Sequence, residues 1–222
     1  MSTARVANIL PMSQGETSGR HAAARFIVLD GIDGCGKTTQ AALLAAELSR
    51  VRGVVALHMR EPGSTAVGEH IRALLLARDH ELDAGVELLL FTAARRQALR
   101  ELVAPALAQG RDVVCERFHA STFAYQAVAG GLPEADVLAM LERWAGTPAP
   151  DTLLLLDVDP EEAARRRAGP QDRIEAKGLE FQERVAAGYR RFSELSPHAC
   201  VVDGRGTTAQ VAARVRAVVF DG

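Results

Sequence analysis

Apolar positions along the chain fall into two rhythms. Short β-branched or leucine-rich runs alternate with longer segments in which apolar residues recur at helical spacing. The runs predict strands over 26–30 (FIVLD), 54–59, 112–115, 152–157 and 200–202. Between them, 41–53 reads as a helix closed by Gly53, and 87–109 as a long helix closed by Gly110. Pro105 either bends that second helix or marks a boundary in it. A further helix begins near Ala66, GTPAPD at 146–151 is a loop, and 209–219 is a short helix with alanine and valine on its inner face. Strands alternating with helices predict an α/β fold with a mainly parallel sheet covered on both faces. No internal repeat or low-complexity domain interrupts the pattern.

Size and charge narrow this picture. A chain of 222 residues fits one domain with room for a mobile flap. Residues 1–24 read as a flexible tail without the apolar stretch of a secretory signal, and 25–222 as the folded domain. The formal net charge of -2 argues against a nucleic-acid binder that uses a broad basic surface. The longest apolar run, LLLL at 153–156, is far shorter than a membrane span, so no membrane partner is expected. Three cysteines without paired spacing point to a reducing, cytoplasmic setting.

The chemistry starts at the end of the first strand. Gly31 to Thr38 (GIDGCGKT) satisfies G-x-x-x-x-G-K-[ST], between a strand and a helix as that motif requires. Its glycines let backbone N–H groups curl around phosphate oxygens, and the helix N-terminus adds partial positive charge. The expected nucleotide contacts are Gly31, Ile32, Asp33, Gly34, Cys35, Gly36, Lys37, Thr38 and Thr39, with Lys37 on the β- and γ-phosphates and Thr38 on Mg²⁺. Asp33 either bonds loop backbone or faces a sugar hydroxyl or a basic partner. Cys35 reads as a small side chain that fits the loop. Its place beside Lys37 and a helix N-terminus also predicts a lowered thiol pKa.

A second set of residues is centred on arginine. REPGST at 60–65 follows the second strand, Arg72 lies on the next helix, and ERF at 116–118 follows the third strand. Parallel α/β sheets gather ligands beyond the strands' C-terminal ends, so these loops should share one rim. Arg117, directly after a buried strand, is the strongest phosphate-clamp candidate, whereas Arg60 and Arg72 also read as solvated surface charges. Glu116 and Asp157 compete as Mg²⁺ partner, because each closes an apolar strand; spacing alone does not choose. AARRRAGPQDRIEAKG at 163–178 is either a solvated helix face or a hinged flap that brings arginine charge to a transferring phosphoryl group.

Taken together, these stretches resemble the thymidylate kinase family of nucleoside monophosphate kinases, over about residues 26–219. FIVLDGIDGCGKTTQ looks like its phosphate loop and REPGST like its REPGGT loop. LLLFTAARR looks like its substrate helix, ERFHASTFAYQ like its DR[YH] segment, and DRIEAKGLEFQERVAAGY like part of its lid. The resemblance implies a P-loop NTPase fold with a five-stranded parallel sheet, transfer from Mg-ATP to dTMP, and a homodimer. It implies that Phe91 stacks on thymine, that Arg95 one turn later bonds the base, and that Thr122 and Gln126 lie near the pyrimidine edge. Tyr125 would crowd the sugar and Asp33 approach its 3′-hydroxyl. Glu61, Pro62, Arg72 and Ser121 fall on the same acceptor side, and Arg117 would clamp the acceptor phosphate. With Cys35 where one subgroup has a basic residue, the arginine-rich lid looks like the bacterial arrangement, in which Arg165, Arg166, Arg167 or Arg173 supplies catalytic charge. The chain departs from the family at Glu116 (usually Asp), Phe118 (Tyr or His) and Ser64 (Gly). The rival readings are a small P-loop kinase with another acceptor, dUMP or a deoxynucleoside, and a non-catalytic nucleotide-binding protein.

Overall fold

The structure is a computed structural model that describes residues 23–79, 81–167, 173–196 and 198–221. Most of the expected tail and the Gly-Pro break of the expected flap lie outside the described residues. The first strand, β1 (Phe26–Asp30), is wholly buried, as a run of five residues without a polar interruption demands in a central strand. α1 (Lys37–Arg52) follows and ends at Gly53, whose φ of 67° closes the helix in the left-handed conformation. β2 is Leu57–Arg60, and α2 (Ala66–Leu76) is capped by Thr65, whose hydroxyl accepts from the Gly68 N–H. α3 (Ala84–Ala98) is capped in the same way by Asp83.

The long helix predicted over 87–109 therefore starts earlier, and it does not break at Pro105. A π turn over Leu99–Val103 leads into α4 (Ala104–Ala108), so the helix changes its hydrogen-bond pattern in the turn before Pro105, whose ring and missing N–H disturb regular α-helix bonding. β3 (Val113–Glu116) is followed by α5 (His119–Thr122), which runs into a second π turn at Phe123–Val128. Next come α6 (Glu134–Ala145), β4 (Thr152–Asp157), α7 (Pro160–Arg166) and a short 3₁₀ turn at Glu175–Lys177. α8 (Leu179–Leu195), β5 (Ala199–Asp203) and α9 (Thr208–Phe220) complete the order.

The five strands form one parallel sheet in the order β2-β3-β1-β4-β5. Leu29 pairs with Glu116, Glu116 with Arg60, Asp30 with Leu155 and Asp157 with Asp203, so the C-terminal ends of all five strands meet one rim. At the opposite rim, Asp112 and Asp151 accept from the backbone N–H groups of Arg25 and Phe26, fixing the start of β1 between its neighbours. The second strand is shorter than predicted. Val54 and Val55 are exposed, because the chain leaving Gly53 first spends Ala56 N–H on the Ser49 hydroxyl, and the first bond to the sheet is Leu57 N–H to Asp112 O. β2 and β5 are the sheet edges, so the expected cover on both faces holds for β1, β3 and β4 only.

Candidate active site

On the C-terminal rim the chain leaves β1 at Asp30 and enters α1 at Lys37 through a loop that only glycine allows at key points. Gly34 has φ 90°, and a Cβ there would lie 2.1 Å from Ala163 O. Beneath the loop Asp30 is fully buried and fully bonded. Its Oδ1 accepts from Gly31 N–H, Ser121 hydroxyl and Tyr189 hydroxyl, and its Oδ2 from the N–H groups of Phe118 and Ser121. One carboxylate thus ties the phosphate loop to the segment after β3 and to α8, which lies so close at Gly188 that a Cβ would meet Ala124 Cα at 2.7 Å.

The loop forms one wall of a cleft of about 530 Å³. Lys37 is buried, and its Nζ donates to Ile32 O and Asp33 Oδ1, both at 3.2 Å. Asp33 also accepts from Arg117 Nη2 and, at 3.0 Å, from the Tyr125 hydroxyl. Burial alone would raise the Asp33 carboxyl, but Arg117 and Lys37 outweigh it and hold the group well below the usual carboxylate range. Of the two readings for Asp33, the structure selects the basic partner. Arg117 itself sits at φ 67°, a conformation costly for a residue with a Cβ, and its Nη1 donates to Ser121 Oγ at 3.0 Å.

Thr38 Oγ1 donates to Glu116 Oε2 at 2.5 Å, and His58 Nε2 lies 2.9 Å from the other Glu116 oxygen. Of the two carboxylates that spacing left open, Glu116 lines the cleft beside Thr38 and Asp157 does not. Asp157 lies two strands away from Glu116 and pairs at long range with Arg190. A hydroxyl and a carboxylate converging on one point suit Mg²⁺, a hard ion that takes few protein oxygens and keeps water and phosphate as its other ligands. Cys35 corrects the expectation of a lowered pKa: the thiol is fully enclosed, and burial pushes it up against the pull of Lys37. Gly31 and Ile32 support the loop from behind and do not line this cleft.

A second pocket, more apolar, adjoins the first. Every residue that the sequence reading put on the acceptor side lines it, from Asp33 and Glu61 through Phe91 and Arg95 to Tyr125 and Gln126. Leu76 and Ile174 complete the wall and were not anticipated. Tyr125 and Gln126 belong to the second π turn and line the pocket. Arg95 is almost completely buried. Its Nε donates to Glu61 at 2.6 Å, its Nη1 to Thr122 Oγ1 and its Nη2 to Phe118 O, both at 3.1 Å, while the Phe118 ring lies beneath the guanidinium. Three of the five guanidinium N–H donors are thereby used, and two have no partner among the described residues. Glu61 gives Oε2 to Arg95, but its buried Oε1 has no partner among the described residues; burial raises this carboxyl to about 7 against the Arg95 charge.

Asp33, Glu61, Arg72 and Arg117 line both cavities. Arg72, which sequence left open as a surface charge, donates from Nη1 to Pro62 O at the junction. The four flap arginines separate in space. Arg166 lines the phosphate cleft and bonds Gly204 O at 3.0 Å; Arg167 packs its Cγ over Gly34. Arg165 is exposed and near Glu161, and Arg173 lies outside both cavities, bonded to Leu75 O and Glu87. Sequence reasoning missed Asp30, His58 and Tyr189, and also Gly204, Gly206 and Thr208 of the cleft wall, although the glycine-rich DGRGTT after the fifth strand was a usable signal.

A phosphate loop on a parallel sheet, opening at a ring of charged side chains onto a second pocket on the same rim, defines a P-loop NTPase built for two ligands. The chain belongs to the thymidylate kinase family, whose model matches residues 29–215. It is 42% identical over 196 residues to the thymidylate kinase of Synechococcus sp. (strain JA-3-3Ab), covering 87% of this chain and 94% of that protein. To that of Caldanaerobacter subterraneus subsp. tengcongensis it is 40% identical over 182 residues, 81% of this chain and 87% of the relative. The crystal structure of thymidylate kinase from Ehrlichia chaffeensis superposes with a TM-score of 0.74 at 33% identity, over 89% of this chain and 99% of that one.

Proposed function

We propose that this protein transfers the γ-phosphoryl group of ATP to the 5′-phosphate of dTMP, forming dTDP and ADP, a step of dTTP synthesis for DNA replication. The observation that carries the reading is the sharing of Asp33, Glu61, Arg72 and Arg117 between a phosphate-loop cleft and a pocket with one aromatic and one arginine wall. Two anions can meet there in line, one held by each cavity.

In this reading the loop amides and Lys37 hold the β- and γ-phosphates, and Phe91 and Arg95 grip the base. Thr38 and Glu116 would hold Mg²⁺, which supplies charge neutralisation on the phosphate oxygens when bound. An oxygen of the dTMP phosphate, already ionised at neutral pH, bonds to the γ-phosphorus while the bond to the β,γ-bridging oxygen breaks and leaves its electron pair on ADP. No covalent intermediate or general base is required. Arg117 reaches both cavities, and Asp33 keeps it beside Lys37, so the two cations lie between the approaching anions. Arg166 and Arg167, on the phosphate-loop side, are better placed to add lid charge than Arg165 or Arg173. Tyr125, held on Asp33, would stand beside the sugar.

The same proposal treats 25–222 as one kinase domain with a lid near 163–178, working in the cytoplasm as a homodimer. Exposed Val67 and Leu74, seven residues apart on α2, and Leu89 on α3 support a protein-covered face there. Among the described residues no helix is long and apolar enough to cross a membrane. A coupled ADP-release assay with Mg-ATP tests the reading, comparing dTMP, dUMP and thymidine. The expected result is release with dTMP well above the others; release only with thymidine would mean that Arg117 does not hold an acceptor phosphate.

A further inference from the structure

Glu87 lies outside both cavities and is 2% exposed, a poor place for a carboxylate without a task. Its Oε1 accepts from Arg173 Nη1 at 2.8 Å and Lys177 Nζ at 3.2 Å, and its Oε2 accepts from Gln126 Nε2 at 2.8 Å. Gln126 is itself 1% exposed and lines the base pocket. We infer that Glu87 is a specificity-positioning residue: it locks the Gln126 amide so that only the carbonyl oxygen faces the base.

The inference rests on the dTMP reading and deepens it. A primary amide has one end that donates and one that accepts, and without a fixed partner it turns over to suit either kind of base edge. A carboxylate flanked by two cations can only accept, so the NH₂ end of Gln126 must face Glu87. The Oε1 end is thereby committed to the pocket, and no described side chain donates to it. An acceptor there matches the N3–H of thymine or uracil and opposes cytosine, whose N3 is a lone pair. Arg95, with two N–H donors to spare, supplies the complementary donors on the same wall. The cations that hold Glu87 come from the stretch just before α8, and Arg173 is fixed there by Leu75 O at 2.9 Å. The flap's C-terminal root and the base-reading amide therefore share one buried carboxylate.

The test is kcat/KM for dTMP, dUMP and dCMP in the wild type and in Glu87→Gln. The amide side chain keeps the shape but frees Gln126 to present either end. The expected result is a fall of about tenfold for dTMP and dUMP together, carried mainly by KM, with dCMP unchanged or improved, since one oriented hydrogen bond is worth about that factor. Should Glu87→Gln fail to fold because Arg173 and Lys177 lose their counter-charge, Glu87→Asp keeps the charge and draws the acceptor back from Gln126, with the same selective loss expected. An equal fall for all three acceptors, or no change, in an enzyme that makes dTDP would overturn this inference alone. A wild type that phosphorylates dCMP and not dTMP would overturn it together with the dTMP reading.

Discussion

Replacing Glu61 by glutamine changes how stability depends on pH. Glu61 lies at the junction of the two cavities, buried, with one oxygen on Arg95 and the other without a partner among the described residues. Its carboxyl titrates near 7, up from 4.5, because burial without full hydrogen bonding disfavours the charge more than Arg95 favours it. Between those two values the folded state holds a proton that the unfolded chain has released, so stability falls as pH rises. The contribution is fully present below pH 4.5 and lost as pH climbs through about 7. At about 1.4 kcal/mol per pH unit, the loss is about 3 kcal/mol. Glutamine does not titrate and keeps an oxygen for Arg95 Nε. Glu61→Gln should match the wild type at pH 4.5 and gain on it by up to about 3 kcal/mol by pH 8, measured by urea unfolding at fixed ionic strength across the range. Parallel pH profiles would refute the burial argument. A variant that loses ground as pH rises would show that pairing with Arg95 outweighs desolvation.

Other residues lend themselves to equally direct tests. Arg117→Ala should lower kcat about a hundredfold or more through loss of charge at the junction, read in steady-state kinetics. Because residue 117 sits at φ 67°, Arg117→Gly should be more stable than Arg117→Ala by about 1 kcal/mol, read from thermal unfolding; the reverse order would deny the backbone strain. Thr38→Ala should raise the Mg²⁺ concentration needed for half-maximal rate while leaving the KM for dTMP nearly unchanged, and an unaltered Mg²⁺ profile would remove Thr38 from the metal site. Ser64→Gly relieves a left-handed φ of 64° but gives up the hydroxyl's bonds to the Arg60 backbone. Its stability should shift by less than about 1 kcal/mol, and a larger drop would show that the serine hydroxyl holds the loop.

What the sequence revealed was mostly local. β1, the phosphate loop and β4 have their determinants within a dozen residues: an uninterrupted apolar run, glycines at fixed offsets, and a lysine and threonine at a helix start. Val54 and Val55 misled for the same reason, since β-branched residues raise strand propensity while pairing is decided by the neighbouring strand. Spacing left Glu116 and Asp157 level and only the family resemblance favoured Glu116; that Glu116 stands beside Thr38 while Asp157 lies two strands away follows from the sheet order, which no spacing encodes. Phe91 packs partly on the core and also lines the pocket, so its apolar context alone does not tell it from a core residue; only resemblance to a family singled it out. Asp30, Glu87 and Tyr189 stayed hidden because their roles are made by partners far along the chain, as in the bond from Tyr189 to Asp30. α6 and α8 were legible in principle: Val137, Leu141 and Ala145 recur every four residues along one buried face.

The most direct test of the central claim is to follow label from γ-labelled ATP in a mixture of the purified protein, Mg²⁺ and dTMP, with products separated by chromatography. The account predicts that label appears in dTDP, that it requires dTMP, and that little is released as inorganic phosphate, as the proposed lid over the junction would require. Label found in free phosphate at the same rate with and without dTMP would contradict the account and leave a nucleotide hydrolase. ATP bound without any transfer would leave a nucleotide-binding protein.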